Sequence, residues 1–324
     1  MIVPYMSKIM LEWTKKPARP VRIAILLFDR FSNLCLANCI EPLRAANTLG
    51  ARTVFDWKIV SPDGRAVRSS SGIDILASGA ADDVADLDYL FVMASYAHDG
   101  HDTPANRRLL RHVTRRCAVT VGLDAGPWLL AAAGLLEGRR ATVHWDLLDA
   151  FTERFLNVET SRAHVMRDGS MMTCAGAMSA LNLTLDLIAD HLGLAARLDV
   201  EGLFLQGDPP VGPSDQIADP LVRQALGLMR DHVERPLEIA HLAARLSCQP
   251  RTLDRHFRKR LGAPPGTVYR HLRLSAARKL IEDTQLSVAE ISLRCGYESS
   301  AALTRAIRRT YGTTPRALRR ARIS

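Results

Sequence analysis

Residues 117–130 read CAVTVGLDAGPWLL. The first seven, CAVTVGL, are a short apolar run rich in branched side chains, as a strand buried on both faces requires. The run ends at Asp124-Ala125-Gly126, and Pro127 then opens an apolar stretch that reads as a helix to Leu136. A strand turning this sharply into a helix has the shape of a nucleophile elbow, which holds one side chain above the sheet. Here that side chain is Asp124. A carboxylate on the N-terminal side of a helix can equally serve as an N-cap or structural turn acid, so the residue alone leaves both roles open.

Working outward, VRIAILLF at 21–28, FDWKIVSP at 55–62 and DYLFVMA at 88–94 are further strand candidates. Between and after them, helical stretches run from about Leu34 to Leu49 and through ANRRLLRHVTRR at 105–116. TVHW at 142–145 precedes a helix over 145–155, a strand pair follows around 158–174, and a long helix spans 177–192. Buried strands alternating with helices predict an open α/β sheet, largely parallel, whose ligands sit at the carboxyl ends of the strands.

The last third has a different character. GDPPVGPSD at 207–215 stops any helix and stiffens the chain. Beyond it, residues 214–324 hold 21 Lys and Arg against 10 Asp and Glu, a net +11, whereas residues 1–213 sum to −2. A polyanion partner is expected for this segment alone, nucleic acid before membrane surface. In LEIAHLAARLSCQPRTLDRHFRKRLG, 237–262, the spacing of Ile239, Leu242, Ala243 and Leu246 gives one helix face. After a short turn Pro250 opens a second helix, with Leu253 and Phe257 inward and Arg251, Thr252, Arg255 and Arg258 outward. The pattern returns in SVAEISLRCGYESSAALTRAIRRTYG, 287–312, with Val288, Ile291, Cys295, Leu303 and Ile307 inward and Ser299, Ser300, Arg305, Arg308 and Arg309 outward. One basic face alone fits a solvated surface as well as it fits a DNA-binding one. Two copies joined by a helix from Tyr269 to Asp283 suit successive major-groove segments about 34 Å apart.

Ile291, Gly296-Tyr297, Ser299, Leu303, Arg305, Tyr311-Gly312 and Thr314-Pro315 closely resemble the C-terminal signature of AraC/XylS-type transcription regulators. The resemblance implies double-stranded DNA as partner, base contacts from both second helices, and RNA polymerase as a further partner of an activator. Position by position, Arg251, Arg255, Ser300 and Arg305 match the base-reading residues. The chain departs from the family pattern where Leu303 and Ile307 replace Phe and Ala301 replaces Ser, which bears on detailed sequence preference only. Asp254 stands beside Arg255, either to orient it or to accept from a cytosine amino group, and orienting is the favoured role.

EPLRAAN (41–47), LAAAGLLEGRRATVHW (130–145) and TCAGAMSALNL (173–183) resemble the ThiJ/PfpI, class I glutamine amidotransferase-like domain that precedes one subgroup of these regulators. The fold so implied is a flavodoxin-like or amidotransferase-like parallel sheet domain, followed by an all-α domain with two helix-turn-helix motifs. Its boundaries are a mobile tail over 1–20, the α/β domain over 21–205, a linker over 206–219 and the DNA-binding domain over 220–320. In catalytic relatives the elbow residue is a Cys with a His partner; here the positions hold Asp124 and His144, and Glu41 matches an acid flanking the elbow. A carboxylate is a poor substitute for thiolate in amide chemistry, so no catalytic residue is assigned. The expectation is instead a pocket for a small nitrogenous effector of the arginine, betaine or carnitine class, the class the resemblance implies. Asp124 and Glu41 supply anions, His144 a switchable donor, Trp128, Trp145, Tyr96 and Phe31 walls, and His98 a contact from the loop above. Each aromatic has a competing place in the core. Two alternatives stand: a DNA-tethered hydrolase or amidotransferase using Asp124 and His144, and an α/β domain that only dimerises.

No cofactor or metal is expected. His98-Asp99-Gly100-His101-Asp102 reads as a solvated polar loop, and Cys35, Cys39, Cys117, Cys174, Cys248 and Cys295 form no C-x-x-C pair. The first twenty residues lack a secretory signal, and the longest apolar run, 128–136, falls short of the roughly 18 residues that cross a bilayer. A cytoplasmic protein is expected, dimeric through its first domain.

Overall fold

The computed structural model describes residues 13–204 and 219–321. They divide into two compact units, one over 16–191 and one from 192 onward that also takes in 13–15. The 207–215 stretch lies outside the described residues, as does most of the tail.

The strands of the first unit are β1 (Val21–Leu27), β2 (Phe55–Val60), β3 (Val67–Arg68), β4 (Asp74–Ile75), β5 (Leu87–Ala94), β6 (Cys117–Asp124), β7 (Arg140–Ala141), β8 (Glu159–Thr160), β9 (Val165–Asp168) and β10 (Met171–Cys174). Six of them make one sheet in the order β2-β1-β5-β6-β10-β9. Every pairing is parallel except the β9 edge, which folds back antiparallel on β10. The branched runs therefore lie inside the sheet, with Ile25, Phe91, Val92 and Val121 fully buried. Helices α1 (Asn33–Gly50), α2 (Pro104–Val113), α3 (Gly126–Ala132), α4 (Leu148–Arg154) and α5 (Ala177–Leu192) accompany it. Two expected helices are shorter than the apolar pattern suggested. α3 stops at Ala132 because the chain turns at Gly134, φ +76°, and the stretch after His144 begins as a 3-10 turn before α4.

The second unit holds α6 (Leu194–Phe204), α7 (Pro220–Asp231), α8 (Ile239–Arg245), α9 (Pro250–Leu261), α10 (Pro265–Asp283), α11 (Val288–Arg294), α12 (Ser300–Tyr311) and α13 (Pro315–Ala321). Residues 194–204, expected within the α/β domain, instead form α6, which packs against α10. Asp199 Oδ1 lies 2.9 Å from His271 Nε2 and accepts a hydrogen bond from Ser275 Oγ, and the Trp13 ring stands edge-on to His271 at 5.2 Å. Burial opposes a charged His271, yet the Asp199 carboxylate outweighs it and raises the imidazole pKa.

The internal repeat is complete in three dimensions. α8 and α11 each have seven residues, α9 and α12 each twelve. Gly262 and Gly312 end the longer helices in left-handed conformation, and a proline opens the helix that follows. The turns also match: Ser247 at φ +53° occupies the place of Gly296 at φ +67°. Gly296 is required, since a Cβ there would lie 2.6 Å from the Pro236 ring and 2.8 Å from the Val233 carbonyl oxygen. Arg273 of α10 fixes this turn by donating to the carbonyls of Cys295 and Gly296 while lying 4.5 Å over the Tyr297 ring. Ser247 is exposed and carries left-handed strain that a glycine would not. Ser247→Gly is expected to stabilise the second unit by about 0.5–1 kcal/mol. A lower unfolding midpoint in urea for that variant would contradict this.

Candidate functional site

Strand register assembles the first site. β5 and β6 run parallel with Ala94 opposite Asp124, so the residue after Ala94, Ser95, stands beside the elbow at the carboxyl end of the sheet. Ser95 Oγ donates to Asp124 Oδ2 at 2.7 Å and accepts from the Ser32 amide at 2.9 Å. Asp124 has φ +62°, a left-handed conformation strained for a side-chain-bearing residue, and it is 8% exposed. The elbow closes tightly: the Ala125 amide donates to the Ala94 carbonyl at 2.8 Å, and a Cβ on Gly126 would meet the Val92 carbonyl oxygen at 2.1 Å. The Asp124 carbonyl in turn accepts from the His144 amide at 3.0 Å, which straps the 142–145 segment to the elbow. The His144 ring lies against Gly176 of the TCAGA stretch, where a Cβ would stand 3.2 Å from Cδ2. Its Nδ1 accepts from the Asp146 amide at 3.3 Å, an arrangement that leaves Nε2 as the ring's donor.

Burial pushes the Asp124 carboxyl above its ordinary value, partly offset by the Ser95 hydrogen bond and by His144 and His98. A cation placed beside this carboxyl would favour its charged form against that burial cost. Tyr96 and Trp145 are 60% and 74% exposed at the ends of these same segments, and the His144 and Trp145 rings are 5.3 Å apart.

Other expected pocket residues are placed elsewhere. Phe31 is fully buried core, with its backbone bridged to Ser69, and is not a wall. Trp128 is core as well, packed among Phe151, Phe155 and, edge-on at 4.9 Å, the ring of His98. His98 is buried, with Nε2 3.2 Å from Asp99. Glu41 is held by Arg44 at 2.8 Å on the half-exposed side of α1, and the polar and charged groups that bear on Asp124 are Ser95, His144 and His98. Ser95 was missed in the sequence, although its place directly after the DYLFVMA strand was a usable signal. Cys35, Cys39 and Cys174 are fully buried near the elbow, and the hydrogen bond with Cys39, then burial, raises the Cys35 thiol pKa. Among the described residues no group of three or more His, Cys, Asp or Glu is arranged to hold a metal ion. In the 98–102 loop His101 contacts the Asp29 carbonyl, and Asp102 pairs with Arg107 and Arg154.

The second site is the repeated helix face. On α9, Leu253, Phe257 and Leu261 are buried, Arg251, Arg255 and Arg258 are exposed, and Thr252 is half-buried. On α12, Leu303 and Ile307 are buried while Ser300, Arg305, Arg308 and Arg309 are exposed. Ser299 is the N-cap of α12, its Oγ accepting from the Ala302 amide at 3.2 Å. Asp254 pairs with Arg258 at 2.7 Å rather than with Arg255, one turn of helix being the shorter reach.

Such a molecule falls in the class of DNA-binding regulators: a doubly wound α/β unit with a modified elbow, and a helical unit presenting two cationic helices. The model of the DJ-1/PfpI family matches residues 21–190, and that of the AraC-type helix-turn-helix domain matches 242–321. The chain is 35% identical to the HTH-type transcriptional regulator CdhR of Pseudomonas aeruginosa, over 90% of this chain and 89% of that one. It is 32% identical to the HTH-type transcriptional regulator GlxA of Rhizobium meliloti, over 92% and 95%. A crystal structure of an AraC family transcriptional regulator from Pseudomonas putida superposes with a TM-score of 0.51 at 26% identity, covering 57% of this chain and all of that one. The chain belongs to the HTH-type transcriptional regulators that place a DJ-1/PfpI unit ahead of an AraC-type helix-turn-helix domain. Among the described residues no helix is long and apolar enough to cross a membrane.

Proposed function

We propose that this regulator responds to a small cationic or amine-bearing metabolite bound at Asp124, and that its first unit has no catalytic activity. The carrying observation is a buried, conformationally strained carboxylate at the elbow, hydrogen-bonded by Ser95 and overlaid by the His144 segment. A carboxylate whose ionisation is opposed by burial is a weaker nucleophile still, whereas an incoming cation would favour its charged form. Tyr96 and Trp145 offer ring faces to the same cation at the mouth of the site. In this reading the regulator acts in the cytoplasm as a homodimer and an activator. Arg251, Arg255, Ser300 and Arg305 read bases, and Thr252, Arg258, Ser299, Arg308 and Arg309 steady the DNA backbone. The effector must bind the active arrangement more tightly than the inactive one.

The test is a thermal-shift screen of the full chain against arginine, glycine betaine and carnitine, repeated with Asp124→Asn. The unsubstituted chain is expected to be stabilised by a member of this set, and the variant by none. The variant alone should melt a few degrees higher at neutral pH. A carboxyl whose folded pKa is raised binds more protons folded than unfolded, so its ionisation costs stability as pH rises from about 4 through the folded value. The gain should accordingly vanish below that window. An unchanged response in Asp124→Asn would remove this residue from the site. Turnover of glutamine or an ester by the full chain, lost on His144→Ala, would instead favour an enzyme.

A further inference from the structure

We propose that Asp219 is a positioning residue for DNA reading: its carboxylate sets the orientation of the first reading helix, α9, without itself facing the DNA. Asp219 is buried at the head of α7 and divides its two oxygens between two helices. Oδ1 accepts from the amides of Leu221 at 3.1 Å and Val222 at 3.4 Å, capping α7. Oδ2 accepts from His256 Nδ1 at 2.7 Å and lies 3.8 Å from Arg260 Nε. His256 and Arg260 are one turn apart on α9, beside the stripe formed by Arg251, Arg255 and Arg258. Among the described residues the buried Arg260 Nε has no hydrogen-bond partner, and this ion pair is its polar anchor there.

The geometry is that of a bracket. Leu253, Phe257 and Leu261 hold α9 against the core, but apolar packing is non-directional and tolerates a small roll about the helix axis. A hydrogen bond of 2.7 Å to an ionised carboxylate, with the Arg260 guanidinium one turn away, does not. Burial disfavours ionised Asp219, yet the His256 hydrogen bond and the Val222 and Leu221 amides outweigh it and hold the carboxyl below its ordinary value, so it is ionised at neutral pH. Arginine reads guanine only when both its donors align with the base edge, whereas attraction to phosphate needs charge alone. Loss of the bracket should therefore damage recognition and spare general affinity.

This makes Asp219 separable from a plain surface acid. Removing a negative charge near a DNA-binding face raises affinity for every duplex by simple electrostatics. Removing an orienting group lowers affinity for the cognate duplex alone. The probes are the duplex that the unsubstituted full chain enriches from a random pool and a scrambled duplex of the same length and composition. Asp219→Asn keeps a competent N-cap while discharging the pair. It is expected to weaken binding to the enriched duplex about tenfold, as for loss of a charge-assisted bond, with binding to the scrambled duplex unchanged or slightly tighter. His256→Phe keeps the ring and the intact cap of α7 but deletes the donor, and it should give the same signature even if Asp219→Asn folds poorly. The double variant should lose little beyond either single one, because both break one interaction. Equal weakening on both duplexes would reduce Asp219 to a structural cap. Unchanged or tighter binding to the enriched duplex in His256→Phe would overturn the proposal.

Discussion

Gly126→Ala is expected to lower the thermal unfolding midpoint of the first unit by about 6–12 °C, a loss of about 3 kcal/mol or more. The cause is local and cannot relax cheaply. An added Cβ would stand 2.1 Å from the Val92 carbonyl oxygen and 3.0 Å from its carbonyl carbon, and both atoms belong to the neighbouring strand of the sheet. Moving them means displacing β5, where Phe91, Val92 and Met93 are all fully buried. The same shift would carry Ser95 away from Asp124, so any folded fraction should also lose the effector response proposed for that site. Calorimetry of the full chain, with the first transition assigned by its shift on effector binding, checks the result. A midpoint within a degree of the unsubstituted chain would show that the elbow is looser than these distances require.

The second large effect concerns DNA. Arg255→Ala and Arg305→Ala are each expected to cost about 1–3 kcal/mol of binding to the cognate duplex, and together about 2–6 kcal/mol if the two sites act independently. Both side chains are exposed on the second helix of their repeat, and among the described residues neither is paired with an acid. Arg255→Lys separates the two jobs of arginine: charge is retained but the planar fork is not. That variant should keep the dependence of affinity on salt while losing discrimination at one base position. If Arg255→Lys and Arg255→Ala weaken all sequences alike, Arg255 is a phosphate contact and base reading on α9 falls to other residues.

Much of this molecule is legible in one sequence, for reasons that differ between its halves. Branched apolar runs such as VRIAILLF and DYLFVMA have few structures open to them besides a buried strand, and two similar helical patterns reinforce each other. What could not be read depends on partners distant in the chain. As aromatics Trp128 and Phe31 suit either a pocket wall or the core, and the side of the sheet on which a ring lands is decided by packing. Ser95 becomes a site residue only through the register that sets Ala94 opposite Asp124, and Glu41 leaves the expected site because Arg44 lies one turn along its own helix. The left-handed backbone of Asp124 is only weakly marked by residue type, since aspartate tolerates that conformation but is far commoner outside it.

The docking of α6 and Trp13 on α10 bears on how regulators of this kind exchange parts. A splice point chosen by the helix-turn-helix match alone would fall after residue 219 and discard Asp199, leaving half-buried His271 and Ser275 stripped of the carboxylate they share. Recombination, natural or designed, should then favour junctions near residue 192, where the inherited cassette is the reader together with the helix that precedes it. Since Trp13 comes from the opposite end of the chain, such a cassette is discontinuous, and a graft that omits it should start life less stable than its donor.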